Sequence, residues 1–208
     1  MDQGADVHAR RGDGRTAWVL ARRFGFDDFA GLLEDAGAVP EDLGPADALL
    51  AASSRGDAAA ARRLASPALV ASLDPEGARL LPEAASRRRL DVVRACLAGG
   101  FPVDAADEFG AIALHHASIR GAASIVRDLL GRGADFRIRD SQHRSTPIEW
   151  ACFGGDEVAE PGGDYEDCGR ALLDAGARLS RDEEPEHAGV REVLRAHAGG
   201  VQSQKPWE

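Results

Sequence analysis

The sequence predicts a mostly α-helical chain of stacked helix–turn–helix units. Three observations predict it. Gly-Ala or Gly-Gly steps close Leu-rich segments at Gly4, Gly37, Gly100, Gly133 and Gly176, at intervals of 33, 63, 33 and 43 residues. These are one period, two periods less three, one period, and one period plus ten; a fixed period of this size marks a repeat architecture. A second block recurs in the same frame: Thr16-Ala17-Trp18-Val19-Leu20-Ala21, Ile112-Ala113-Leu114-His115-His116-Ala117 and Thr146-Pro147-Ile148-Glu149-Trp150-Ala151. A third is apolar: Phe29…Leu32-Leu33, Val92-Val93…Cys96-Leu97, Ile125-Val126…Leu129-Leu130 and Cys168…Leu172-Leu173.

Each element of a unit has a local cause. Thr16 and Thr146 stand at helix N-cap positions, and Pro147 at the first helical position, where its missing N–H costs nothing. The first helix is short and rich in Ala, the best helix former, so neighbours can approach closely. Gly25, Gly56 and Gly121 allow the turn into the second helix. That helix buries positions spaced three and four apart, such as Ile125, Val126, Leu129 and Leu130. A further Gly ends it, and the chain turns through a short hairpin-like finger. One unit cannot bury its apolar face alone, so neighbours must stack.

On these residues the chain resembles the ankyrin repeat family, in a bacterial-type version, whose pattern runs G-x-T-P-L-H-x-A-A-x-x-G-H-x-x-V-V-x-x-L-L-x-x-G-A-D. Gly110–Asp135, GAIALHHASIRGAASIVRDLLGRGAD, follows it most closely. The resemblance implies an ankyrin-repeat α-solenoid with β-hairpin-like fingers, a single domain over 1–198. Its repeats are 1–40 (incomplete at its N-terminal side), 43–73 (degenerate), 74–106, 107–139 and 140–181. A C-terminal cap helix is expected at 187–197, with Val190, Val193 and Leu194 as its apolar face, and a mobile tail at 199–208.

Departures from the pattern carry expectations. Arg88 replaces the inter-helix Gly of the third unit, where a Cβ costs about 1 kcal/mol. Pro82 lies inside that unit's first helix, so the helix starts late or kinks. Ser66-Pro67 makes the second unit's exit irregular. About nine extra residues fall in the fifth unit near 155–163, within an acidic, Gly-rich stretch read as a surface insertion. A partner-contact loop and a calcium loop are the other readings; Asp156, Glu157, Glu160 and Asp164 are oxygen ligands, but not at EF-hand spacing. Met1 falls at the tail of a second helix, so Trp18, Phe29 and Leu32 are expected to lack a covering neighbour. That implies a longer native chain or association through this end.

Composition bounds the function. The chain has 208 residues, 44% hydrophobic and 29% charged, a globular balance. Ala contributes 39 residues; Asn is absent and Lys205 is the only Lys, a codon bias of a GC-rich genome. The net charge of −10 opposes a nucleic-acid partner. No apolar run reaches membrane-spanning length and no signal peptide opens the chain, so a cytoplasmic protein is expected. Cys96, Cys152 and Cys168 are too scattered for a disulfide framework or metal knuckle and read as buried thiols.

No enzyme, metal or cofactor signature appears. His115 and His116 are adjacent and so face different ways; His115 matches the family's structural His, which bonds backbone in adjoining turns. The resemblance implies a non-enzymatic module that binds a partner protein through its concave face, for regulation, inhibition or scaffolding. Its variable positions are here Arg15, Arg23, Phe24, Ser54, Arg55, Ser86, Arg87, Glu108, Phe109, Ile119, Arg120, Gln142, His143 and Phe153. Arg55, Arg87 and Arg120 share one repeat position, and a row of Arg suits an acidic partner segment. The alternative is an enzyme or small-ligand protein using the 155–164 loop near His115, His116, Trp150 and Cys152.

Overall fold

The computed structural model describes residues 5–179 and 188–201. Short helices follow one another with no extended sheet among the described residues; Arg10 with Thr16 and Ala106 with Ile112 form isolated antiparallel bridges at finger bases. The chain divides into two compact units. One holds the residues up to Leu80 together with Asp91–Phe101; the other holds Leu81–Leu90 and the residues from Pro102 onward.

The first unit contains α1 (Ala17–Arg23), α2 (Asp27–Asp35), α3 (Pro45–Ser54), α4 (Ala58–Leu64), α5 (Pro67–Ala71) and α6 (Pro75–Ala78). Thr16 caps α1 as expected, accepting from the Val19 amide. Asp57 caps α4 through the Ala60 amide at 2.8 Å. The irregular exit after Leu64 is two further short helices. Ser66 and Asp74 cap them, each followed by Pro at the first helical position. Leu49, Leu50, Ala51 and Ala61 are fully buried in this unit. Trp18, expected to be uncovered, is buried with Val19, Ala21 and Ala30, and its indole N–H donates to Glu34 at 2.6 Å. Phe29 and Leu32 are exposed.

The third repeat has α7 (Leu80–Ser86) and α8 (Leu90–Ala98). Pro82 is the third residue of α7, inside the first turn, where no intrahelical N–H bond is forfeited. Arg88 adopts φ +56°, the left-handed turn that Gly makes elsewhere.

The second unit continues with α9 (Ala113–Ile119), α10 (Ala123–Leu130), α11 (Pro147–Phe153), α12 (Tyr165–Asp174) and α13 (Ala188–Val201). Pro147 opens α11, and Glu149 accepts from the Thr146 amide at 2.6 Å. Leu114, Ile125, Val126, Leu129, Ile148 and Leu172 form its buried apolar set. Val193 of α13 is buried, and Leu194 packs with Leu179 against Cys152 and Tyr165. Val190's side chain and residues 202–208 lie outside what is described.

Candidate functional site

The finger tips of the second unit are built by two aspartates. Asp107 accepts from the Phe109 amide at 2.9 Å and the Ala111 amide at 3.0 Å. Asp140, itself buried, accepts from the Gln142, His143 and Ser145 amides and from the Trp150 indole N–H. Burial pushes the Asp140 carboxyl up, but those donors outweigh it and hold it at about 2. Such Asx turns let a short polar side chain replace sheet hydrogen bonds. Ser141 then ties the fingers together: its amide and its hydroxyl donate to the Phe109 carbonyl at 2.8 and 2.6 Å.

Four expected binding residues, Glu108, Phe109, Gln142 and His143, are thereby exposed on two adjoining tips. Phe109 leaves half of its surface, 50%, in water. The adjoining segment 131–145 carries Arg132, Arg137, Arg139 and Arg144; Arg137 pairs with Asp135 and Arg139 with Glu149.

Behind the tips lies an imidazole–indole cluster. His115 accepts the Ile112 amide on Nδ1 and donates from Nε2 to the Ser145 carbonyl at 3.0 Å. This is the backbone-bonding role expected of it, and burial lowers its pKa. His116 meets Asp107 at 2.8 Å. Both rings stand edge-on to Trp150, at centroid distances of 5.3 and 5.6 Å. Cys152 packs instead with Tyr165. Burial pushes the Cys168 thiol up to about 12 and raises Cys96 too, so neither is a thiolate nucleophile at neutral pH.

The helix-end residues behave differently. Arg23, expected at the binding surface, is fully buried: it donates to Asp47 at 2.7 Å and to Asp74. The reason is long-range, since two carboxylates reach it from α3 and the cap of α6, and a buried guanidinium needs such partners. Arg15 also reaches Asp47 at 3.0 Å and Asp74 at 3.1 Å. Phe24, half-buried, lies under the Arg23 guanidinium at 5.2 Å. Ser54 donates to the Arg23 carbonyl. Arg55 forms a two-pronged pair with Asp27 at 2.7 and 2.8 Å, which holds the Asp27 carboxyl below its ordinary range. Ser86 donates to the Glu83 carbonyl. Arg87 is 63% exposed and pairs with Glu83 one turn back. Arg120 pairs with Glu160. Ile119 is half-buried, and Phe153 is exposed.

The Glu160 pairing belongs to the inserted segment, which is tied back to the fold by several hydrogen bonds. Gly154–Val158 forms a π-helical turn continuing α11, closed by Ala159 at φ +44°. The Tyr165 hydroxyl accepts the Glu160 amide at 3.0 Å. Arg88 donates to the Pro161 and Gly162 carbonyls, and the Asp164 amide donates to the Gly121 carbonyl at 2.8 Å. A Cβ on Gly121 would stand 2.7 Å from the Asp164 nitrogen and the Gly163 Cα. Arg88 and Tyr165 were not among the expected functional residues; nothing local in the sequence links either to this segment. Two of the segment's carboxylates are engaged: Glu160 by Arg120, and Asp164 as the cap that accepts from the Asp167 amide. Among the described residues, no group of three or more His, Cys, Asp or Glu side chains is arranged to hold a metal ion.

Residues 48–140 match the family model for ankyrin repeats, in three copies. The chain has the ankyrin repeat fold. Solved structures agree on the fold. An ankyrin repeat domain from Acinetobacter baumannii aligns with a TM-score of 0.56 and 18% identity, over 87% of this chain and 97% of that one. The human ASB11 ankyrin repeat domain aligns with a TM-score of 0.58 and 21% identity, over 94% of this chain and 88% of that one. No curated protein matches the chain significantly. Ankyrin repeats are generally protein–protein interaction modules. No described helix is long and apolar enough to cross a membrane.

Proposed function

We propose that this protein is a non-enzymatic binding module that takes an acidic, partly extended segment of a partner protein on the finger tips of its second unit. The observation that carries the reading is Phe109. It is a large apolar side chain half in water, on a tip locked by Asp107, Asp140 and Ser141, beside a finger whose Arg137 and Arg139 remain exposed while paired with Asp135 and Glu149. A rigid, half-exposed aromatic is the kind of residue that anchors an interface, and surrounding cations steer and orient an acidic segment. Glu108, Gln142 and His143 supply the polar rim. The three Arg at the shared helix-end position are all paired, Arg55 with Asp27, Arg87 with Glu83 and Arg120 with Glu160, and Arg87 is the most exposed of them. Regulation, inhibition or scaffolding follows from such binding. A reducing compartment such as the cytoplasm suits its three buried free thiols.

The test is selection from a random displayed-peptide library on the immobilised full chain, in parallel with a Phe109→Ser/His143→Glu variant. Both substitutions fall on exposed tips and leave the core untouched. The expected result is enrichment of Asp and Glu beside an apolar residue on the native chain and its loss on the variant. Selection without acidic enrichment, or equal selection by the variant, overturns the reading.

A further inference from the structure

A second surface, independent of the finger tips, lies on α2. Counted from the flanking glycines, Phe29, Val92, Ile125 and Cys168 occupy one repeat position. Three of them are buried, at 3%, 2% and 0% exposure; Phe29 is 52% exposed. Phe26 and Leu32 are more exposed still. Residues three apart on a helix form a ridge, so Phe26, Phe29 and Leu32 make one apolar row about two turns long. The inner side of α2 is already used, with Ala30 buried and Leu33 packed against the Trp18 cluster. The outer row is a face built to the same repeat rule as buried ones, yet left in water.

Its flank has a sign. Asp28 and Asp35, both exposed, stand four residues before and three after Leu32 and run alongside the apolar row. Asp27, on the other side, is held by Arg22 and Arg55. We propose that this ridge docks a basic amphipathic helix of a partner protein, apolar residues on the Phe26–Phe29–Leu32 row and Lys or Arg on Asp28 and Asp35. A helix fits because its apolar and charged rows advance with the same spacing as those of α2, and ridge-into-groove packing needs that match. A second copy of this chain would set Asp28 and Asp35 against like charges, and an anionic lipid surface would repel them. The net charge of −10 draws a basic segment from a distance.

The probe is a fluorescein-labelled 18-residue peptide of Leu and Lys in helical alternation, titrated with the full chain and read by anisotropy. The native chain binds it, and both Phe29→Ser/Leu32→Ser and Asp28→Lys/Asp35→Lys weaken binding tenfold or more. Raising salt from about 0.1 M to 0.5 M weakens it further, as screening requires. Melting followed by circular dichroism shows both variants folded, since all four positions are exposed. The finger-tip variant Phe109→Ser/His143→Glu binds the peptide unchanged, which separates this surface from the one proposed above. No binding by the native chain overturns the proposal, and so does equal binding by the two α2 variants, which would mean general attraction to an acidic protein. A concentration-dependent dimer in light scattering, dissolved by Phe29→Ser/Leu32→Ser, also overturns it, in favour of a second copy.

Discussion

The ends of α1 and α9 occupy the same place in the repeat, two residues before the inter-helix Gly, and are closed by opposite means. In the first unit that place is Arg23, fully buried and held by Asp47 and Asp74, with Arg15 reaching the same two carboxylates. In the second unit it is Ile119, whose backbone is packed by Gly154 of the inserted segment, where an added Cβ would stand 2.4 Å from the Ile119 oxygen. The charge there, Arg120 with Glu160, is partly in water. A repeat pattern therefore sets the backbone of a helix end and leaves open what seals it. One seal stores charge inside the molecule; the other uses close backbone packing and keeps charge outside.

The two seals should break differently. Arg23→Ala leaves Asp47 and Asp74 to Arg15 alone, so the loss should fall at or below the lower end of the cost of breaking a buried pair, about 3 kcal/mol; thermal melting checks it. Gly121→Ala should cost about 2–3 kcal/mol, because φ is +61° and the new Cβ meets the inserted segment's backbone. Hydrogen exchange should place that loss in the second unit. Arg120→Ala should cost about 0.5 kcal/mol or less, since a partly exposed ion pair contributes little; chemical denaturation is the check.

Asp140 lies at about 2 in the folded protein against an ordinary 3.8. A carboxyl depressed by folding adds stability above its unfolded value, and that stability is lost as pH falls from about 4 through 2. The contribution is about 2 kcal/mol. The acid limb of the stability curve should be shallower in Asp140→Asn, with the difference confined to that window; an unchanged limb would contradict the assignment.

The helix pairs were legible because their signals are local. Thr16 starts α1 through its hydroxyl and Pro147 opens α11, where Thr146 stands at the cap position but Glu149 accepts from its amide and its own hydroxyl finds no partner; Gly25, Gly56 and Gly121 take the left-handed turn expected of them. The two short helices after Leu64 were legible in principle, since Ser66-Pro67 and Asp74-Pro75 are both cap-then-Pro signals, but the repeat frame pointed to a loop. The burial of Arg23 was not legible, because its partners lie 24 and 51 residues away in the chain. Nor were the contacts that tie back the insertion, which come from Arg88, Gly121 and Tyr165 meeting it through the fold. At the candidate site, Phe109 and His143 could be placed on tips, while the Asp107 and Asp140 turns that fix them needed the structure.

Paired helix ends and open finger tips lead to one central claim: an acidic partner segment binds at the tips rather than at the helix ends. The most direct measurement takes one acidic peptide selected on the native chain and compares its affinity for two variants, Phe109→Ser/His143→Glu at the tips and Arg55→Ala/Arg120→Ala at the helix ends. A loss of tenfold or more is expected for the first and a change within about twofold for the second, since Arg55 and Arg120 are already paired with Asp27 and Glu160. The reverse order, with binding lost at the helix ends and kept at the tips, would contradict it.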